Sequence, residues 1–190
     1  MYICKLICLK MLKSIILFFR KRKIRRNLQN KRLMQFPDIT KYPIITILVD
    51  ESQKKDIKVM ETFLKMSFVP KRLRFIVMAD VLPDNILQSD FMVFVSKDDF
   101  DKLGVLKKEK EDVLKAFPDD MFINLSDNNE DMLNDYIISC IKSSFKIGHP
   151  KLNMSMHDLV IDYGLEKNDV ERLKILYKYL LMLSGNKNEK

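Results

Sequence analysis

The residues best placed to do chemistry in this 190-residue chain stand at the ends of short apolar runs. Asp50, Glu51 and Ser52 follow Ile44–Val49, and Asp80 follows Leu73–Met78. Ser96 and Lys97 follow Phe91–Val95, and Ser126, Asp127 and Asn128 follow Met121–Leu125. If these runs are parallel strands, a ligand binds beyond their carboxyl ends. Asp50, Ser52, Ser126 and Asp127 are then the candidate ligand-binding residues. The same residue types cap helices, so Ser52 and Ser126 also have a purely structural reading.

Several chemistries lack their signature. The first strand-to-helix turn, Val49-Asp50-Glu51-Ser52-Gln53-Lys54, has no glycine to let a pyrophosphate approach the backbone, and its acids repel phosphate. The chain has no Walker-type loop and no Gly-x-Ser-x-Gly elbow. Cys140 falls on the apolar side of an expected helix, where a nucleophile would lack a base. His149 and His157, the only histidines, lie eight residues apart in an expected loop, which is poor metal-ligand spacing. The acidic pairs Asp98-Asp99 and Asp119-Asp120 adjoin turns and read as solvated caps rather than acid/base pairs. No cofactor and no metal are expected. Cys4, Cys8 and Cys140 make neither a disulfide framework nor a zinc site, which fits a reducing, cytoplasmic compartment.

The elements that must carry these residues follow from periodicity. Met11 to about Arg32 has helical spacing, with Leu12, Ile15, Ile16 and Phe19 on one side. Phe36-Pro37-Asp38 through Tyr42-Pro43 is a break. Strands are expected at 44–49, 73–78, 91–95, 121–125, 145–148 and 159–162, the first rich in β-branched residues. Between them come helices over 52–67, 107–117 and 131–143, and a turn or short helix over Pro83–Ser89. A last helix starts at Asn168, whose spacing to Glu171 resembles a capping box, and Gly185 is its stop. Alternation of this kind predicts an α/β fold: a three-layer, Rossmann-like sandwich around a mostly parallel sheet of five or six strands, preceded by a basic helix.

Charge divides the chain more sharply than hydropathy. The net charge is +8, yet residues 1–36 hold six Lys, five Arg and no acid, while the remaining 154 hold 23 basic and 26 acidic side chains. The reading is a basic amphipathic arm, 1–36, and an α/β domain, 37–190. Arg20, Lys21, Arg22, Lys23, Arg25 and Arg26 place six cations within seven residues. These are the expected contacts to an anionic surface, and Leu12, Ile15, Ile16 and Phe19 the expected membrane-inserting face. Lysines interrupt the apolar start, so neither a spanning helix nor a cleaved signal is expected.

Some segments carry a family likeness. Asp120-Met121-Phe122-Ile123-Asn124-Leu125-Ser126, Tyr136–Ser139, Ser144-Phe145-Lys146-Ile147-Gly148, His157–Asp162 and the start Met11-Leu12-Lys13-Ser14 resemble a family of small uncharacterised bacterial proteins, a domain of unknown function. The resemblance runs from Met11 onward. It implies an architecture without an activity, and a natural start near Met11. The Lys146-Ile147-Gly148 segment is also similar to the acceptor half of heptosyltransferase-like glycosyltransferases, which bind their sugar nucleotide mainly in a second domain.

The expectation is therefore a non-catalytic module held at the inner membrane surface by its arm and acting through an unknown protein partner. Two alternatives stand beside it. One is a small nucleotide- or sugar-binding protein, or a glycosyltransferase-like enzyme, using the strand-end residues. The other is an RNA- or ribosome-associated factor using the arm.

Overall fold

A computed structural model describes residues 2–29, 32–41, 43–80, 91–116, 118–128, 132–166 and 168–185, with side chains of the first helix described from Lys10 onward. The expected connection Pro83–Ser89, the last residue of the helix expected over 107–117, the helix start at Asp131, and the side chains of Tyr42, Cys4 and Cys8 lie outside the described residues.

Six strands form one parallel sheet: β1 (Ile44–Asp50), β2 (Arg72–Met78), β3 (Met92–Val95), β4 (Asp119–Asn124), β5 (Ser143–Gly148) and β6 (Leu159–Val160). Their order is β3-β2-β1-β4-β5-β6, and every neighbouring pair is parallel. The order reverses between β1 and β4, as in doubly wound dinucleotide-binding folds. Alternate side chains of β1 and β4 enter opposite faces, as a period of two demands. Ile45, Ile47, Met121 and Ile123 join one core, and Leu48 and Phe122 join the other.

Helices cover both faces. On the first lie α2 (Ile57–Phe68) and α5 (Asp169–Gly185), burying Met60, Leu64, Leu173, Leu176 and Leu180. On the second lie α3 (Lys108–Lys115) and α4 (Leu133–Cys140), burying Leu114, Tyr136 and Ile137. The start of α5 is capped as its sequence suggests, because the Asn168 side chain accepts the Val170 N–H at 2.9 Å. The helix expected to reach Ser143 stops at Cys140, since Ile141 turns extended and Ser143 already opens β5.

Asp119 departs from the reading of its acidic pair as solvated caps. It opens β4 and is buried beside the buried Arg74, with Nη2 to Oδ2 at 3.1 Å. Thr46 donates its hydroxyl to Asp119 Oδ1 and accepts Arg74 Nε, while Arg74 Nη1 reaches the Val113 carbonyl. Burial pushes the Asp119 carboxyl up to about 6, against the pull of Arg74. A buried pair of this kind is weak evidence for stability, but removing one partner strands the other.

α1 (Tyr2–Gln29) is a third helix on the second face. Ile24 is buried in the same cluster as Leu114 and Tyr136. Arg20 Nε donates to the Gly104 carbonyl at 2.9 Å, and its guanidinium lies 5.2 Å from the Phe100 ring centroid. Asn27 donates to Ser139 Oγ on α4 at 3.0 Å. Arg20, Ile24 and Asn27 recur at helical spacing, so one side of α1 is built into the helical layer.

Gly104 makes this docking possible. Its φ of +72° belongs to the left-handed region, and a Cβ there would stand 2.4 Å from Ile16 Cγ2 and 3.1 Å from Arg20 Nε. Gly104→Ala is expected to lower the unfolding free energy by about 2 kcal/mol, through backbone strain and displacement of α1. Urea denaturation followed by circular dichroism measures this, and an unchanged midpoint would show that α1 is not held there.

Candidate functional site

The reversal point between β1 and β4 is where an open parallel sheet offers its crevice. Here the chain's own groups occupy part of it. Asp50, the last residue of β1, accepts the Ser126 hydroxyl at 2.6 Å on Oδ1, and the backbone N–H groups of Asp127 and Asn128 at 2.9 and 3.2 Å on Oδ2. The turn after β4 thus wraps the carboxylate, which in dinucleotide-binding folds would face the ligand's side of the crevice. Asn124, at the end of β4, secures the turn by accepting the Ser126 N–H at 3.1 Å. It also donates to Asn134 on α4 at 2.8 Å, and Asn134 donates to the Asn128 carbonyl.

The network continues onto the first face. Gln53 accepts the Asp50 N–H at 2.6 Å and donates to the Leu125 carbonyl and to Asp169. Arg172 bonds Asp169 and Asp127, donates to the Glu166 carbonyl, and lies 6.0 Å from the Tyr163 ring centroid. Burial raises the Asp169 carboxyl, opposed by the Gln53 hydrogen bond and the Arg172 charge. His149 Nε2 is 3.0 Å from the Ser126 carbonyl, which fixes the neutral ring with its proton on Nε2. Burial is also the main cause that lowers the His149 pKa.

Three of the four strand-end candidates, Asp50, Ser126 and Asp127, therefore come together, but as partners of one another. Ser126 is fully buried, while the Asp127 carboxylate pairs with Arg172 and Lys151. Ser52 stands apart and exposed, lining with Asp50, Asp80 and Phe100 a cavity of about 290 Å³ beyond the ends of β1, β2 and β3. The size is at the small end for ligand pockets, roughly 300–1,000 Å³. Among the described residues no group of three or more His, Cys, Asp and Glu could hold a metal ion.

Sequence reasoning missed Gln53, Asn124, Asn134, Asp169 and Arg172. Two of these carried a signal: Gln53 stands three residues after Asp50, at capping-box spacing, and Asn124 interrupts a strand run that asparagine disfavours. The other three join the network only through the fold.

The arm's candidates divide by direction. Arg20 is 8% exposed, and Lys23 pairs with Glu111 at 3.0 Å. Both were expected on an anionic surface and instead help attach α1. Lys21, Arg22, Arg25 and Arg26 are exposed. Of the expected inserting face, Leu12 and Ile15 are exposed, Phe19 is half-buried, and Ile16 turns toward Gly104. The side of α1 away from the domain reads Met11, Ile15, Phe18, Arg22, Arg25, Gln29, alternating steps of four and three. Met11 is 62% and Phe18 61% exposed. No helix among the described residues is long and apolar enough to cross a membrane.

Strand order and helical layers define a Rossmann-type α/β protein in which the chain's own groups bond the carboxylate at the reversal point. The chain belongs to a family of unknown function (DUF6913), which matches residues 17–183. No curated protein and no solved structure matches it. The family match takes in the docked half of α1 and leaves out Met11, Leu12 and Ile15.

Two measurements test this geometry. Asp50→Ala removes one acceptor from three donors and is expected to cost about 2–4 kcal/mol in urea unfolding. A cost below about 0.5 kcal/mol, the level of an ordinary surface change, would mean that the turn holds itself. The second concerns His157, whose ring lies where a Cβ on Gly148 would meet it. Burial lowers its pKa to about 4. A ring kept neutral in the fold but protonated in the unfolded chain contributes its full stability above pH ~6.5, and loses it as the pH falls toward 4. The stability of wild type relative to His157→Gln is therefore expected to drop between pH 7 and pH 4.5. A constant difference would refute the burial of that ring.

Proposed function

We propose that this protein is a non-catalytic α/β module that docks on anionic membrane surfaces through the outward side of α1, at the cytoplasmic face, and acts there through a protein partner. One observation carries the reading. The side of α1 that the domain does not use changes along its length from apolar (Met11, Ile15, Phe18) to cationic (Arg22, Arg25), with Leu12, Lys21 and Arg26 beside it. Shallow insertion of the apolar half would place the cations at the headgroups. Of the six clustered cations, the four exposed ones count. At roughly 1 kcal/mol each near anionic lipid they give on the order of 4 kcal/mol, and burial of Met11, Ile15 and Phe18 adds to this. The bond between Asp50 and Ser126 supports the non-catalytic part, because both groups already have a partner.

The test must spare the docked side, since deleting the arm would also strip Ile24 and Asn27 from the core. Wild type is expected to sediment with vesicles of phosphatidylethanolamine and phosphatidylglycerol, and not with phosphatidylcholine alone. Arg22→Glu with Arg25→Glu is expected to weaken this by roughly tenfold or more, and Phe18→Ser by a smaller factor. Binding that ignores both changes would overturn the proposal. Loss of an equally tight, salt-steep affinity for RNA in the charge variant, with no vesicle binding in wild type, would give the arm to nucleic acid instead.

A further inference from the structure

A second cavity lies at the opposite end of the strands from the reversal point. It has a volume of about 490 Å³ and sits below the carboxyl ends of α1 and α4, at the starts of β4 and β5. Four cations line it: Arg32, Lys115, Lys142 and Lys146. The lining holds a single carboxylate, Asp119, which is already paired with Arg74. Other carboxylates balance two of the cations from outside the lining, since Arg32 makes two bonds of 2.6 Å to Asp158 and Lys115 pairs with Glu111. Lys142 and Lys146 have no such partner among the described residues.

Lys146 is the unusual member. It sits within a strand and is 3% exposed. Its ammonium carries three donors. Among the described residues it makes one hydrogen bond, to the Ile138 carbonyl at the end of α4, at 2.6 Å. Burial, with the nearby Arg32 charge, lowers its pKa to about 8. A buried ammonium with spare donors, facing a cavity lined by further cations, is short of an acceptor. Lys142 is exposed at the mouth, and the Ser144 hydroxyl and the Asn27 amide supply neutral polar groups to the wall.

From this cavity we infer a second binding site, for a phosphate monoester: the anionic group lies between Lys146 and Lys142, and the organic remainder extends toward Asn27 and Leu28. The volume exceeds that of a bare phosphate ion and falls within the range of small-molecule pockets. Lysine serves phosphate as a point charge, so the site needs no forked geometry from Arg32. The inference is independent of membrane docking, because the outward side of α1 takes no part in it.

The phosphate group could belong to a free metabolite or to a lipid headgroup, and titration calorimetry on the full chain distinguishes them. The probes are inorganic phosphate, glycerol 3-phosphate and micelle-free dihexanoyl phosphatidic acid, with chloride at matched ionic strength as control. Binding of glycerol 3-phosphate but not of the lipid makes the ligand a free ester; the reverse makes it a headgroup. Either supports the site, and no heat with any of the three overturns it. Lys146→Met and Lys142→Gln are each expected to weaken binding by about tenfold or more. Lys142→Gln leaves the bond to Ile138 in place, so it remains informative if Lys146→Met fails to fold. Unchanged affinity in Lys142→Gln would also overturn the assignment. In wild type the Lys146 side-chain titration, followed by carbon-13 NMR at Cε, is expected to move upward when the ester binds, and a fixed midpoint would count against it.

Discussion

The carboxylate of Asp50 holds the centre of this fold together. It stands at the end of β1, where strand order reverses, and the turn after β4 closes over it through Ser126, Asp127 and Asn128. An open parallel sheet leaves a crevice at that place because its helices diverge to opposite faces there. In a nucleotide-binding member of this architecture, backbone amides around the crevice serve the ligand. Here two amides and a hydroxyl serve an internal carboxylate. Gln53 and Arg172 carry the connection to α5, and Asn124 and Asn134 carry it to α4, so both helical layers are registered against one acid. The missing glycine in the first strand-to-helix turn and the presence of Asp50 are two aspects of one design. A phosphate loop would need room where this side chain sits.

Three buried charges stand at the opposite end of the strands, where Arg74 and Asp119 pair and Lys146 caps the carbonyl end of α4. The desolvation cost of such groups is offset only where they find partners. Arg74 has the Asp119 carboxylate and the Thr46 hydroxyl. Lys146 has a carbonyl, a weaker partner for a full charge. That contrast sets Lys146 apart from Arg74.

Much of this architecture was legible in the sequence, and the failures have specific causes. The apolar runs located all six strands because a parallel sheet covered on both faces leaves no alternation to confuse the pattern. The junction of Asp50 with Ser126 and Asp127 was also legible, from the rule about strand ends alone. Whether the three would bind a ligand or one another was not, because that depends on where Asp127 and Asn128 point their N–H groups. Asp119 was misread because two adjacent acids look like a turn, and its partner lies 45 residues away on β2. The inward roles of Arg20 and Lys23 were hidden for a different reason. In a run of six cations over seven residues, composition gives no periodicity by which to tell the docked side from the exposed one. Only the position of Ile24, the single apolar residue in that run, hinted at the direction.

α1 shows how one helix meets two demands. Its domain side needs apolar or hydrogen-bonding residues that match α3 and α4, and Arg20, Ile24 and Asn27 meet this with one cation, one hydrocarbon and one amide. Its outer side is exposed, and among the described residues only Phe18 has a ring contact there, edge-on to Phe19. Exposed apolar residues scattered singly need no explanation. Three in register on one side of a helix, passing into two cations on the same side, do require one, because a solvated helix would gain solubility from polar residues at each of those positions. The family match begins at Leu17, so it takes in Phe18, Arg22 and Arg25 of that side and leaves out Met11 and Ile15. The docked, cationic half belongs to the shared family domain. Met11 and Ile15 carry the apolar stretch of that side beyond the matched residues.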